Sequence, residues 1–178
     1  MPELPLPLIL SQEYTQMLGT FYSNWSAIDL FTDYAICQFL HVTPEQSHLI
    51  TSGMMFGRKA KLLDDLLRHS NDYRKKNIYP PFNKIRAAKR DLFAHSYVGS
   101  NATSVFFLER SISGKYSAKK HTFTMQEFGA HVKEIATAAR EFFYALDVSL
   151  QDLDAFAETA LSLKSKSDTS PGSPPSGE

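Results

Sequence analysis

The chain carries the stretch Arg90-Asp91-Leu92-Phe93-Ala94-His95-Ser96, in which a permanent cation, a carboxylate and an imidazole lie close together. The pattern predicts the last turn and a half of a helix, on which Asp91 and His95, four residues apart, lie on nearly the same face. Arg90 precedes His95 by five residues and points roughly 140° away from it, at about 100° per residue. One regular helix therefore does not bring Arg90 and His95 to one atom, whereas a frayed helix end or a second copy of the chain would.

The chemistry of these side chains suits a phosphodiester substrate. An imidazole exchanges protons near neutral pH, and a guanidinium stays charged and grips phosphate oxygens. Together they fit cleavage of a phosphodiester whose own 2′-hydroxyl attacks. We therefore predict Arg90, Asp91 and His95 as catalytic residues, with Asp91 in a supporting role. The alternatives are a buried His95 hydrogen-bonded at a helix end and an Arg90 that only pairs with a carboxylate such as Asp29 or Glu141.

The motif resembles the R-[N/D/H]-x-x-A-H signature of the HEPN superfamily, with Ala94-His95-Ser96 in its commonest form. The segment Asn24-Trp25-Ser26-Ala27-Ile28-Asp29 resembles the first long helix of some bacterial members, and Ser52-Gly53-Met54 with the following Lys59 and Leu62-Leu63 resembles their second core helix. The resemblance covers roughly residues 15 to 147. It implies a small helical domain that dimerises, and in many members a metal-independent ribonuclease, often a toxin or antiviral effector.

Neighbouring residues are predicted to contact RNA. Arg86 and Lys89 lie just upstream of the motif and are interpreted as a solvated or RNA-facing stripe, and Ser96 and Tyr97 follow it. Tyr97 can stack on a base, as aromatic side chains do in single-stranded RNA sites, although packing explains it equally well. The histidines show no metal-ligand spacing and Cys37 is the only cysteine, so we predict no metal site and no cofactor.

Positive charge is concentrated before the motif. Residues 1–57 contain no Lys or Arg, whereas residues 58–95 contain eleven Lys and Arg against four Asp, although the formal net charge of the whole chain is zero. A local positive field favours a polyanionic partner. The alternative is a solvated helix pair with its cations on the outer face.

Hydrophobic spacing predicts an all-α fold. Apolar residues recur every three or four positions from Ser11 to His41, and further helices are predicted at Thr43–Gly53 and Phe56–Arg68. The first of these two is predicted to begin with a Thr43 cap, Pro44 at the first helical position and Gln46 at the third. A motif helix is predicted to open at Pro80-Pro81, with Phe82, Ile85 and Leu92 on its buried side. With the resemblance, this predicts an antiparallel HEPN-like bundle of four to five helices.

A small β-hairpin is predicted before the last long helix. Val105 to Leu108 are strand formers, Ser113-Gly114 is a turn signal, and residues 120–123 are a return strand. Thr124-Met125-Gln126-Glu127 is a capping box that starts a helix.

The domain organisation follows from composition. Residues 1–10 are predicted to be an extended arm, residues 11–163 the helical domain, and residues 164–178, rich in Ser, Pro and Lys, a disordered tail. A single cysteine and the lack of a long apolar run make a cytoplasmic protein with no membrane contact the expectation.

Two functions fit these patterns. The first is a HEPN-like endoribonuclease that acts on single-stranded RNA as a homodimer through the motif helix, with a protein partner or antitoxin as a further possibility. The second is a non-catalytic helical module of the same fold that dimerises and binds a partner or a nucleotide. A His95 buried away from any cleft would favour the module.

Overall fold

The computed structural model describes residues 10–101, 103–113 and 115–167 and is mainly helical. The order of elements along the chain is α1 (Gln12–Leu40), α2 (Pro44–Thr51), α3 (Phe56–His69), α4 (Lys75–Ala87), α5 (Arg90–His95), β1 (Tyr97–Ser100), β2 (Ser104–Ser113), β3 (Lys115–Thr124), α6 (Met125–Ala145) and α7 (Leu150–Ser167). The expected helical fold is confirmed in its coarse form, but a three-stranded antiparallel sheet means that the fold is not purely α.

The residue contacts divide the chain into two compact units. The first comprises Met1–Ala27 and Pro80–Phe142, and the second comprises Ile28–Tyr79 and Phe143–Glu178. The predicted arm lies outside the described residues apart from Leu10. Helix α7 continues to Ser167, past the predicted start of the tail at residue 164, and residues 168–178 lie outside the described part.

The first unit is built around aromatic side chains. The ring centroid of Phe93 lies 5.1 Å from that of Phe21, 4.7 Å from Phe107 and 5.4 Å from Phe128. Each of these four side chains is at most 2% exposed. Aromatic pairs at these separations add packing energy to the burial of large apolar surfaces. The core of this unit therefore joins α1, α5, the sheet and α6.

The sheet has the strand order β1-β2-β3 with antiparallel neighbours. The predicted hairpin is confirmed as β2 and β3, which pair from Ser104 opposite Thr124 to Ser113 opposite Lys115. The turn residue Gly114 lies outside the described residues. Strand β1 was not predicted; it pairs Tyr97 with Leu108 and follows the motif directly.

Local caps set the starts of two helices as predicted. Thr43 and Gln46 form a complete capping box at α2. At α6 the Thr124 amide donates to the Glu127 carboxylate at 2.8 Å, and the Glu127 amide donates to the Thr124 hydroxyl at 3.2 Å. Both boxes satisfy amides that have no partner within the helix.

The predicted motif helix is wrong in its start and its continuity. Helix α4 begins at Lys75 and contains Pro80 and Pro81 in its interior. Ile78, Phe82 and Ile85 are fully buried at helical spacing, and this burial outweighs the cost of prolines inside a helix. The helix then ends at Ala87, and a separate short helix carries the motif.

The second unit contains a buried ion cluster. The Lys59 ammonium lies 3.2 Å from Asp29 and 2.9 Å from Asp33, and Lys59 is only 5% exposed. Burial raises the pKa of Asp33, and the Lys59 ammonium acts in the opposite direction. In the same unit, a ring nitrogen of His48 lies 2.7 Å from the Phe156 carbonyl oxygen, which ties α2 to α7.

Candidate functional site

Helix α5 carries the motif and is anchored by one buried face. Leu92 and Phe93 point into the core, 7% and 2% exposed. On the α1 side, the Tyr22 hydroxyl donates a hydrogen bond of 2.7 Å to the Phe93 carbonyl oxygen. The Phe93 side chain is therefore not available for a contact with a second copy of the chain, because the sheet and α6 cover it.

Arg90 is held at the start of α5 by two neighbours. Its guanidinium lies 3.2 Å from the Asp91 carboxylate and 5.8 Å from the centroid of the Trp25 ring. Burial raises the pKa of the nearby Tyr22, and the Arg90 cation opposes that rise. The Arg90 side chain keeps 31% of its surface exposed. The guanidinium is thus oriented by packing and remains within reach of a ligand.

Asp91 supports Arg90 and not His95. Its side chain is 81% exposed, and its ion pair is with Arg90. The sequence left both partners open for Asp91. The alternative in which Arg90 pairs with a carboxylate is met by Asp91, whereas the carboxylates named as examples pair with lysines, Glu141 with Lys84 and Asp29 with Lys59.

His95 stands at the exposed end of α5. Within the described residues it forms no hydrogen bond or ion pair, and its side chain faces solvent. Five residues along a helix separate it from Arg90 by about 7.5 Å along the axis and roughly 140° around it. The structure therefore brings Arg90, Asp91 and Trp25 together and leaves His95 on another side of the same helix.

The other predicted RNA contacts flank α5. Lys89 is exposed, with its ammonium 5.8 Å from the Phe123 ring centroid, and Arg86 is exposed with its guanidinium 6.0 Å from the Phe82 centroid. Ser96 ends α5 in an extended conformation. Tyr97 is 57% exposed and begins β1. All four lie next to the motif along the chain, and their contact with RNA stays a prediction.

The basic block is not a continuous track of free cations. Several of its cations form ion pairs with Asp or Glu, namely Lys59, Arg68, Arg74, Lys84 and Arg90. Lys59 is buried as well. The block is also divided, since its residues before Pro80 belong to the second unit and the later ones to the first. The local charge near the motif is therefore carried by fewer cations than the sequence count indicates.

A cleft of 450 Å³ lies beside Lys89. Its lining includes Lys84 and Lys89 on one side and His131 and Glu134 of α6 on the other. The ring of His131 lies 5.1 Å from Phe93, and its Nε2 atom is buried with no hydrogen-bond partner among the described residues. Sequence analysis did not select His131; its place three residues after the buried Phe128, on the apolar stripe of α6, was the available signal.

We expect the thermal stability to fall as the pH drops below about 6.5, in part through His131. Burial lowers its pKa in the folded chain, with Glu134 acting against this and Lys89 with it. The unfolded chain, with an ordinary pKa of about 6.5, then binds a proton that the folded chain does not. The stabilisation is complete above about pH 6.5 and is lost as the pH falls from there towards the lowered pKa.

The variant His131→Phe tests this assignment. It removes the titrating group and the unpaired Nε2 while keeping a ring among Phe21 and Phe93, so the melting temperature should depend less on pH. The control is His69→Gln, at an exposed position in α3. A pH dependence that is the same in wild type and His131→Phe would contradict the prediction.

Known proteins offer no assignment for this site. No family model, curated protein or solved structure matches the chain. Among the described residues, His, Cys, Asp and Glu do not gather in groups of three or more that could hold a metal ion. No helix in the described part is long and apolar enough to cross a membrane. A functional conclusion therefore depends on the geometry around α5.

Proposed function

We propose that this chain is a HEPN-type endoribonuclease that cleaves single-stranded RNA without a metal ion. The observation that carries the proposal is the arrangement of α5: a six-residue helix whose buried face fixes it in place, with Arg90 oriented at one end and His95 exposed at the other. An exposed imidazole with no hydrogen-bond or ion-pair partner among the described residues is available for proton transfer. The Arg90 guanidinium, partly exposed and lying over the Trp25 ring, is available for a phosphate.

The proposed reaction is transesterification. The 2′-hydroxyl of a ribose attacks the adjacent phosphorus, the bond from phosphorus to the 5′-oxygen breaks, and the products are a 2′,3′-cyclic phosphate and a 5′-hydroxyl. His95 makes one of the two proton transfers, taking the proton from the 2′-hydroxyl or giving one to the departing 5′-oxygen, and solvent water makes the other. Arg90 binds the non-bridging oxygens and offsets their charge as it develops. Asp91 holds Arg90 in place.

The proposed active site is shared between two copies of the chain. Arg90 and His95 diverge on α5, so one phosphate meets both only if the two groups come from different chains. In a two-fold dimer, each motif helix faces its counterpart and two equivalent sites result. The buried Phe93 is not available for this contact. The assignment of the helices to an antiparallel HEPN-like bundle is part of the same proposal.

The alternative is a non-catalytic module that binds a partner or a nucleotide. The observation in its favour is that Arg90 already has two intramolecular partners, Asp91 and Trp25, which gives it a structural role. The exposure of His95 favours the enzyme. A purely structural histidine at a helix end is expected to be buried and hydrogen-bonded.

Incubation of the purified protein with mixed RNA in EDTA tests the proposal directly. We expect cleavage that resists EDTA, since the mechanism needs no metal ion, and products that end in a 2′,3′-cyclic phosphate and a 5′-hydroxyl. Mass spectrometry of the fragments identifies these ends. Products with a 5′-phosphate, or activity that disappears with EDTA, would refute this mechanism. Inertness towards all RNA would favour the module.

A further inference from the structure

The sheet has one face that is not packed against the core. Val105 and Phe107 of β2 are fully buried and point to α6 and α5. Because side chains alternate along a strand and directly paired residues share a face, the residues of even number in β2 lie on the opposite side. We call this side the outer face. Its large side chains are Tyr97, Phe106, Leu108, Arg110, Tyr116 and Lys120.

This outer face combines aromatic rings with cations. Tyr97 is 57% exposed and Tyr116 is 65% exposed. The Arg110 guanidinium lies 3.9 Å from the centroid of Tyr97, and the Lys120 ammonium lies 4.2 Å from that of Phe106. Tyr97 and its diagonal neighbour Phe106, which is partly exposed, form an aromatic patch, and an exposed patch of this kind marks a surface for a partner.

The charge of the outer face is positive. Within the described residues, neither Arg110 nor Lys120 forms an ion pair with a carboxylate; each lies over a ring instead. The acid of β2, Glu109, points to the opposite face and lies 2.8 Å from a ring nitrogen of His121. A partner of negative charge with flat, apolar groups complements this combination.

We propose that the outer face binds the unpaired bases of single-stranded RNA by stacking, next to the site of cleavage. Bases stack on aromatic rings and on guanidinium planes, and the charge of the backbone is met by cations. Diagonal neighbours across paired strands, such as Tyr97 and Phe106, are about 7 Å apart, close to two 3.4 Å steps of a nucleotide strand. This spacing lets successive stacked bases reach both rings.

The position of Tyr97 connects the outer face to the motif. It follows His95 by two residues and is the first residue of β1. An RNA strand that leaves the scissile phosphate at His95 therefore reaches Tyr97 first and then Phe106 and Lys120. The identity of the polymer as RNA rests on the proposed function, but stacking on the outer face does not require cleavage.

Binding of an uncleavable probe tests this inference separately from catalysis. The probe is a fluorescein-labelled 2′-O-methyl oligo(A) of about twelve nucleotides, within the range of known single-strand sites, and the measurement is fluorescence anisotropy with the full chain. We expect Tyr97→Ala to weaken binding about tenfold or more, the scale of one lost stacking contact. Tyr97→Phe keeps the ring and should bind like wild type.

The salt dependence of binding and competition by duplex RNA are two further measurements with the same probe. Arg110→Ala should lower the slope of log affinity against log salt by about 0.7, the value for one phosphate contact on a single strand. A duplex RNA should not compete with the probe, because its bases are already stacked. Matched controls are Tyr144→Ala, an exposed ring of α6, and Lys133→Ala, an exposed cation of α6; both should bind like wild type.

The outcomes separate this inference from the proposed function. Binding that depends on Tyr97 and Arg110, in a protein that does not cut RNA, supports the outer face and refutes the nuclease. Cleavage with unchanged binding in Tyr97→Ala and Arg110→Ala overturns the outer face and leaves the nuclease standing. No measurable binding by wild type also overturns it. Sedimentation in which Tyr97→Ala dissociates a dimer would also overturn the outer-face proposal, because a second copy of the chain would then cover this face.

Discussion

We expect His95→Ala to lower RNA cleavage in EDTA by about a hundredfold or more, the usual contribution of a general acid or base. His95 is exposed and has no internal partner among the described residues, so its removal should leave the melting temperature close to that of wild type. A loss of activity without a loss of stability is the expected signature of a catalytic side chain.

Arg90→Ala should have an effect of similar size, on the order of a hundredfold to a thousandfold, because one preorganised cation at the developing charge is removed. Arg90→Lys keeps the charge but loses the planar guanidinium, with its paired donors, and the packing on Trp25. Its cleavage rate should therefore lie between those of wild type and Arg90→Ala. Matched controls are His69→Ala and Arg140→Ala, both at exposed positions outside α5. Cleavage by His95→Ala at the wild-type rate, in material freed of contaminating nuclease, would refute the assignment.

Mixing the two inactive variants tests whether the site is shared. If each site takes its arginine from one chain and its histidine from the other, a mixed dimer has one intact site out of two. Random pairing of equal amounts then restores roughly a quarter of the wild-type activity. If both groups come from one chain, the mixture stays inactive, and the shared-site arrangement is excluded.

The largest effect on stability is expected for Phe93→Ala, which should lower the free energy of unfolding by about 3–5 kcal/mol. The side chain is 2% exposed and its ring packs against those of Phe21, Phe107 and Phe128. Its removal leaves a cavity between three elements that cannot all close on it. Urea unfolding followed by circular dichroism measures the loss.

The matched control for Phe93→Ala is Tyr144→Ala. Tyr144 is 70% exposed, so its truncation should change the free energy of unfolding by no more than about 0.5 kcal/mol. If Phe93→Ala and Tyr144→Ala unfold at similar urea concentrations, the central role of the Phe93 ring in this unit is wrong. Phe93→Glu, by the same argument, should unfold the chain and not merely separate a dimer.

The sequence predicted the structural features that depend on residues close together in the chain. The capping boxes at Thr43 and Thr124 depend on residues three apart, and both are present. The hairpin of β2 and β3 also joins neighbours in sequence. Strand β1 is only four residues long, although it too pairs with a strand close to it in sequence, with Tyr97 opposite Leu108. Short segments of this kind have too little pattern of their own to be recognised.

The motif could be located from the sequence, but its surroundings could not. The divergence of Arg90 and His95 follows from helix geometry alone. The burial of Phe93 depends on the sheet, because its ring packs against Phe107 of β2 and does not lie on the apolar face that α4 presents to the core. Similarly, Lys59 was counted with the solvated cations because its two carboxylates lie in a different helix, α1. Contacts between distant parts of the chain decide both cases.

The short length of α5 affects how this protein can evolve. A helix of six residues does not persist alone in water, so its order comes from Leu92 and Phe93 and from the Tyr22 hydrogen bond. Exposed Asp91 and His95 contribute little to that order. Selection on stability therefore acts on one face of α5 and leaves the opposite face open to drift. A descendant can gain or lose polar side chains there by single substitutions while its fold persists.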